Sequence, residues 1–380
     1  MVKRITEIQS FLSHADYSLA VRRMLDLSLD CGDSELLRAA INWSKTYHAH
    51  LKNNSEGLPN NFFTEAEALL LQLQRFEASG ILTPKMLMNV ENISKKYSSS
   101  NFSLKPISLQ VKTGDILGIV GENGNGKTTL LRCLCGELAL DSGHVAYTTI
   151  TNPDYYNIKG HVAFIPQRIP KWHGLLKDNL HFSASLAGNT GDKNELMVDF
   201  MLERLNLTDY AHLTWSKISS GYRTRFEIAR ILLQQPSLLI LNEPLANLDI
   251  NAQQTILTDL RYLAKSVYHP MGIILSSQQL HEVEKVADNV LLIKQGSCLF
   301  STNDNDEATS SSAIELETSA SRDTIIGLLG EEHIRIQFNG GFYTITSSSF
   351  NAHYMISKLL NNEVPITYFR DITNSTKRFF

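Results

Sequence analysis

Gly121-Glu122-Asn123-Gly124-Asn125-Gly126-Lys127-Thr128-Thr129 follows the apolar run Ile116-Leu117-Gly118-Ile119-Val120 and leads into the helical pattern Leu130-Leu131-Arg132-Cys133-Leu134. A strand, a glycine-rich turn and a helix start, in that order, make a phosphate-binding loop. The side-chain-free Gly121, Gly124 and Gly126 let backbone N–H groups close around phosphate oxygens, and the helix N-terminus adds its partial positive charge. In such a loop Lys127 reaches the β- and γ-phosphates, and Thr128 places its hydroxyl on a Mg²⁺ that bridges them. Glu122, Asn123, Asn125 and Thr129 fill out the same cradle.

Four later segments place this loop in a larger plan. His161-Val162-Ala163-Phe164-Ile165-Pro166-Gln167 reads as an apolar strand ending in Pro-Gln, and Ile218-Ser219-Ser220-Gly221-Tyr222-Arg223-Thr224-Arg225 opens a helix that continues to Arg230. Leu238-Leu239-Ile240-Leu241-Asn242-Glu243-Pro244 has the unbroken apolar character of a buried parallel strand. Its polar residues stand at the carboxyl end, where open α/β sheets bind ligands. Ala246-Asn247-Leu248-Asp249 follows directly, and a further strand from Gly272 to Ser277 ends at Gln278.

In that order and spacing the segments resemble the nucleotide-binding domain of ABC ATPases, over roughly residues 88 to 300: Walker A, Q-loop, signature, Walker B, D-loop and switch position. The resemblance implies an α/β P-loop NTPase core with a helical subdomain, and ATP with Mg²⁺ as cofactors. It makes Tyr97 the aromatic that stacks on adenine and Gln167 a Mg²⁺ ligand that senses γ-phosphate. Asn242 falls at the metal-binding position beside Thr128, and Glu243 becomes the carboxylate that polarises the attacking water. Gln278 takes the switch position against γ-phosphate. Ser219, Gly221 and Asp249 would serve a nucleotide held across a dimer seam.

Three departures from the family pattern carry chemistry. Asn242 stands where the family has Asp, and an amide brings no charge to offset Mg²⁺, which prefers carboxylate and water oxygens. Gln278 replaces the usual His, so it can hydrogen-bond a phosphate oxygen but cannot carry a proton. The signature reads Ile-Ser-Ser-Gly-Tyr in place of Leu-Ser-Gly-Gly-Gln, which puts a Cβ at Ser220 where the family has none. These changes predict slow hydrolysis, with Glu243 keeping some turnover alive.

Composition fits. With 380 residues, 43% hydrophobic and 19% charged, the chain can bury real cores and predicts two or three domains. The net charge of −4 supplies no large positive field for nucleic acid or anionic lipid. No apolar stretch approaches the roughly 20 residues that span a bilayer. Met1-Val2-Lys3-Arg4 leads into an amphipathic pattern rather than a signal-peptide core, which predicts a cytoplasmic protein. Cys31, Cys133, Cys135 and Cys298 lack metal spacing and read as reduced structural thiols.

Residues 1–86 read as an all-helical N-terminal extension, from the helical spacing of Ile5, Ile8, Phe11 and Leu12, of Tyr17, Val21, Met24 and Leu25, and of Leu37, Ala40, Ile41, Ser44 and Tyr47. Thr64 and Glu67 form a capping box that predicts a further helix start. The nucleotide-binding domain takes 87–302. A polar linker, Ser301 to Glu307 and on through Ser310-Ser311-Ser312, leads into residues 313–380. These read strand, helix, strand, strand, helix, strand, with Asn339-Gly340-Gly341 as a hairpin turn. That is the order of a small α+β, ferredoxin-like domain. It resembles domains appended to ATPase subunits of exporters whose permease is a separate chain, which implies a dimer-stabilising or regulatory role. Arg370 to Phe380 resembles that group's closing short helix.

The resulting expectation is the ATP-binding subunit of an ABC transporter. It would pair with itself or with a second ABC ATPase chain, sit at the inner face of the membrane and drive an integral membrane permease docked near Arg168 to Ala184. Trp172, Leu175, Leu176 and Phe182 are the candidate contacts, and they read equally well as the core of a helical subdomain. The alternative is a soluble, ATP-switched regulator on the same cassette. A neighbouring gene for a multi-span membrane protein separates the two.

Overall fold

The computed structural model describes residues 2–53, 58–76, 84–98, 102–246, 248–266, 269–301 and 311–373. The expected linker over 302–310, Asn247 of the D-loop and the tail 374–380 lie outside the described residues.

The chain opens with α1 (Val2–Ser13), α2 (Tyr17–Asp30), α3 (Ser34–Lys52) and α4 (Asn60–Gln74). Asp16 and Asp33 accept hydrogen bonds from the first free N–H groups of α2 and α3, as good N-caps do. The expected capping box at Thr64 is not a helix start. Helix α4 begins at Asn60, directly after Pro59, and Thr64 lies inside it.

Next come β1 (Met86–Lys96), β2 (Ser103–Lys112), β3 (Ile116–Val120), α5 (Lys127–Leu134) and β4 (Ser142–Tyr147). Then follow α6 (Tyr155–His161), β5 (Val162–Ile165), α7 (Leu176–Leu186), α8 (Gly191–Arg204), α9 (Ser220–Leu232) and β6 (Leu238–Asn242). The domain closes with α10 (Ile250–Ala264), β7 (Gly272–Ser277), α11 (Leu280–Val283), β8 (Asn289–Lys294) and β9 (Ser297–Ser301). Six strands form a sheet in the order β5-β6-β7-β3-β8-β9, parallel except for β9, and β2-β1-β4 form a separate antiparallel sheet. Every residue of β3, β6 and β7 is buried, which is why those segments read as unbroken apolar runs.

The last elements are β10 (Ser312–Thr318), α12 (Arg322–Leu329), β11 (Arg335–Asn339), β12 (Phe342–Ser347), α13 (Ala352–Asn361) and β13 (Ile366–Asp371). Their sheet order, β11-β12-β10-β13, is that of a split βαβ unit with a core of its own. Arg370 and Asp371, expected in a closing helix, belong to strand β13, because each pairs with β10.

The N-terminal helices share one hydrophobic cluster with α7 to α10. A buried charge network reinforces the join. Arg204, at the end of α8, donates to Asp26 of α2 at 2.7 Å and pairs with Asp259 of α10 at 3.2 Å. Arg23 pairs with both carboxylates and lies 3.2 Å over the Tyr262 ring. Burial by itself would raise the pKa of Asp26, but the charges of Arg204 and Arg23 outweigh it and hold the carboxyl below its ordinary range.

Candidate functional site

Strands β6, β7 and β3 lie side by side, with Asn242 opposite Ser276 and Val120 opposite Ser277 in register. Their carboxyl ends therefore bring three loops together, the position where open parallel sheets bind ligands. A cavity of about 170 Å³ opens there, lined by Phe102, residues Glu122 to Gly124, residues Gly126 to Thr129, Gln167 and Glu243.

Glycine is required at two points of the loop. A Cβ at Gly121 would sit 2.3 Å from the carbonyl oxygen of Ile293. Gly126 has φ +102°, and a Cβ there would sit 2.6 Å from Phe102 Cζ.

Lys127 is 4% exposed and its ammonium donates to the carbonyls of Gly121, at 2.6 Å, and Glu122, at 3.2 Å. It also pairs with Glu243 Oε1 at 3.0 Å. Gln278 Nε2 donates to the other Glu243 oxygen at 3.1 Å. Glu243 adopts φ +54°, a left-handed backbone conformation that is uncommon outside glycine and is concentrated at functional sites.

Behind this pair lies an ordered chain of hydrogen bonds. The Glu243 N–H donates to Ser276 Oγ at 3.0 Å, so the single Ser276 proton goes to Asn242 Oδ1, also 3.0 Å away. That fixes the amide orientation and points Asn242 Nδ2 at Thr128 Oγ1, 3.1 Å away. Asn242 thus donates to Thr128, and the Thr128 hydroxyl can also donate back to Asn242 Oδ1 at 3.4 Å, the longer of the two contacts. The arrangement of Asn242 does not fit the expected Mg²⁺ ligand, whereas the Thr128 hydroxyl and the Gln167 side chain, neutral oxygen donors beside the cavity, do fit one.

The remaining expected residues divide. Tyr97 does not line the cavity: its hydroxyl meets Thr129 Oγ1 at 3.3 Å, and Phe102 takes the wall position, its ring 6.4 Å from that of Tyr97. The Asn125 side chain turns away and accepts from the Gln295 N–H at 3.0 Å. Ser219 caps α9 and Asp249 caps α10, both exposed and both away from this cavity. Gly221 lies against Leu248. Phe102 and Ser276 were missed by sequence reasoning. Ser276 was detectable as the residue opposite Asn242 on the neighbouring strand, and Phe102 only as a second aromatic close after Tyr97.

The ABC transporter family profile matches residues 104–246. An uncharacterized ABC transporter ATP-binding protein of Bacillus subtilis, YdbJ, is 30% identical over 237 residues, covering 61% of this chain and 74% of that protein. The chain belongs to the ATP-binding proteins of the ABC transporter family. A methionine import ATP-binding protein of Clostridium acetobutylicum is 32% identical over 219 residues, covering 55% of this chain and 67% of its own length. The solved structure of cbiO1 from Clostridium perfringens, part of the ABC transporter complex cbiONQ, aligns with a TM-score of 0.51 at 25% identity, covering 57% of this chain and 88% of that one. Family membership implies ATP binding and hydrolysis.

Replacing Lys127 with Ala removes the buried cation of the loop. ATP affinity, measured by calorimetry on the folded variant, is expected to fall by at least about tenfold, or about 1.4 kcal/mol. Unchanged affinity would refute the assignment of the loop.

Proposed function

We propose that this protein is the ATP-hydrolysing subunit of a transporter whose membrane permease is a separate chain, and that it turns over slowly. The supporting observation is the Lys127–Glu243–Gln278 constellation with the Asn242 amide behind it. In this reading the γ-phosphate takes over the Lys127 charge. Glu243, released from that pair and still hydrogen-bonded to Gln278, orients the attacking water. Thr128 and Gln167 would hold Mg²⁺, which would supply positive charge to offset that of the phosphates. Asn242 slows the reaction because its N–H occupies a lone pair of Thr128 and its amide brings no negative charge, whereas a carboxylate would only accept there. Gln278 cannot carry the positive charge of a His.

Ser219, Gly221 and Asp249 serve the nucleotide of a second copy or of a second ATPase chain, which accounts for their distance from their own cavity. In the Glu243→Gln variant, ATP is expected to shift the protein to a dimer in sedimentation, and adding Ser219→Arg should abolish the shift. A monomer at every ATP concentration, with any co-purifying ATPase chain also failing to pair, would exclude the two-chain site.

The permease surface is a stripe on α7. Trp172 and Leu176, two of the expected contacts, are core residues: Trp172 stacks on Trp215 with ring centroids 4.8 Å apart, and Leu176 is fully buried. Leu175 is 42% exposed, and Phe182 and Leu186 are each 65% exposed. Phe182 and Leu186, four apart, share one face of α7, and Leu175 is the extended residue at the start of that helix, shortly after Gln167 in sequence. Among the described residues no helix is long and apolar enough to cross a membrane. Relatives named as import ATP-binding proteins support the transport role. Phe182→Asp with Leu186→Asp is expected to abolish co-purification with an integral membrane protein while leaving ATP affinity intact. A partner that instead maps to the N-terminal helices, with no membrane association, would favour the soluble ATP-switched regulator.

A further inference from the structure

A second cavity, of about 160 Å³, lies where α2, α3, α8, α9 and α10 meet, remote from the phosphate loop. Its charged lining is unbalanced in hydrogen-bonding capacity. Two carboxylates face it, and the oxygens of both are already engaged. Glu203 accepts from Ser44 at 2.8 Å and from Thr208 at 2.7 Å. Asp259 faces Arg23 and Arg204, each at 3.2 Å, and Arg22 at 3.6 Å.

The cations retain unused donors. Arg204 is 1% exposed, and its Nη1 makes no well-directed hydrogen bond although it lies near Asp259. Arg225, half-buried on α9, has no carboxylate within ion-pair distance among the described residues, and its guanidinium lies 5.6 Å from the Tyr222 ring centroid. Arg204 Nη1 still has Asp259 Oδ2 at 3.2 Å, so it is the guanidinium of Arg225, with no carboxylate partner among the described residues, that favours a ligand bringing acceptors and negative charge. Val21, Ile228, Ile256 and Leu260 form a buried apolar part of the wall, and Ser18, His48, Asn206 and Thr255 add polar groups to the lining.

We propose that this cavity binds a small aliphatic carboxylate, with its head between Arg225, Arg22 and Arg204 and its chain against the Val21–Ile228–Leu260 wall. An apolar cavity of about 150 Å³ accommodates a benzene molecule, so this one takes roughly six to eight non-hydrogen atoms, too few for a nucleotide. The site joins three parts of the molecule, the N-terminal helices, α8 and α9 of the helical subdomain, and α10 behind the main sheet.

The test is calorimetric titration of the full chain with butanoate, hexanoate and inorganic phosphate at constant ionic strength. Phosphate is titrated into the Lys127→Ala variant to remove its binding at the P-loop. Hexanoate is expected to bind saturably, more tightly than butanoate, and at least about tenfold more weakly in Arg225→Gln. Arg22→Gln is expected to weaken it in the same direction and serves if Arg225→Gln fails to fold. No saturable binding of either carboxylate at millimolar concentration, or binding unaffected by both arginine variants, would overturn the proposal. Phosphate binding as tightly as hexanoate would overturn the choice of an aliphatic carboxylate.

Discussion

Lys127 is a buried cation, and a buried cation must collect its partners from wherever the chain can bring them. Its own loop supplies two carbonyls, and the end of β6 supplies the Glu243 carboxylate. These two loops are separated by β7 in the sheet order, so β7 has to fill the gap between them. It does so with Ser276, which bonds the Glu243 backbone and the Asn242 side chain, and just beyond its end with Gln278, which bonds the Glu243 carboxylate. The left-handed backbone at Glu243, which carries a conformational cost of about 1–3 kcal/mol, is what turns the carboxylate back toward Lys127. The site is one connected network, and a change at any member alters the others.

That connectivity gives the two amide substitutions their meaning. Asn242 preserves the hydrogen-bonding skeleton, since it accepts from Ser276 as a carboxylate would, but it adds an N–H donor toward Thr128 and brings no charge. Gln278 likewise keeps a contact with Glu243 while removing a titratable group. The hydrogen-bonding skeleton accommodates both amides, and in the proposed function their effect falls on the chemistry.

Much of this was legible in the sequence because strand, turn and helix signals repeat around a fixed motif order. The buried strands β3, β6 and β7 declared themselves by uninterrupted apolar residues, and the C-terminal domain by its alternation and its Asn339-Gly340 turn. What the sequence concealed depends on contacts between distant segments. Thr64 and Glu67 have capping-box spacing, but Pro59 had already begun the helix. Trp172 and Leu176 read equally well as surface contacts and as core, and they are core, because Trp215 and Phe226 pack on Trp172 and the fold fully buries Leu176. Phe102 displaces Tyr97 from the cavity wall through its packing on Gly126. The N-terminal helices look like an appendage by periodicity, yet Arg23 and Asp26 tie them to Arg204 and Asp259 within a shared core. Burial pushes the Cys133 and Cys135 thiols up to about 11.

The central claim is that Asn242, Gln278 and Glu243 act as one catalytic network whose two amides restrain the rate. It is tested most directly by the steady-state ATP hydrolysis rates of Asn242→Asp, Gln278→His, the double variant and the unaltered protein, side by side. The account predicts an unaltered rate below about 1 per second, the lower end of the usual range for phosphoryl-transfer enzymes. It also predicts a double variant that gains more than the product of the two single gains, because coupled residues are not additive. An unaltered rate already within the ordinary range, or a double variant no faster than the unaltered protein, would contradict it.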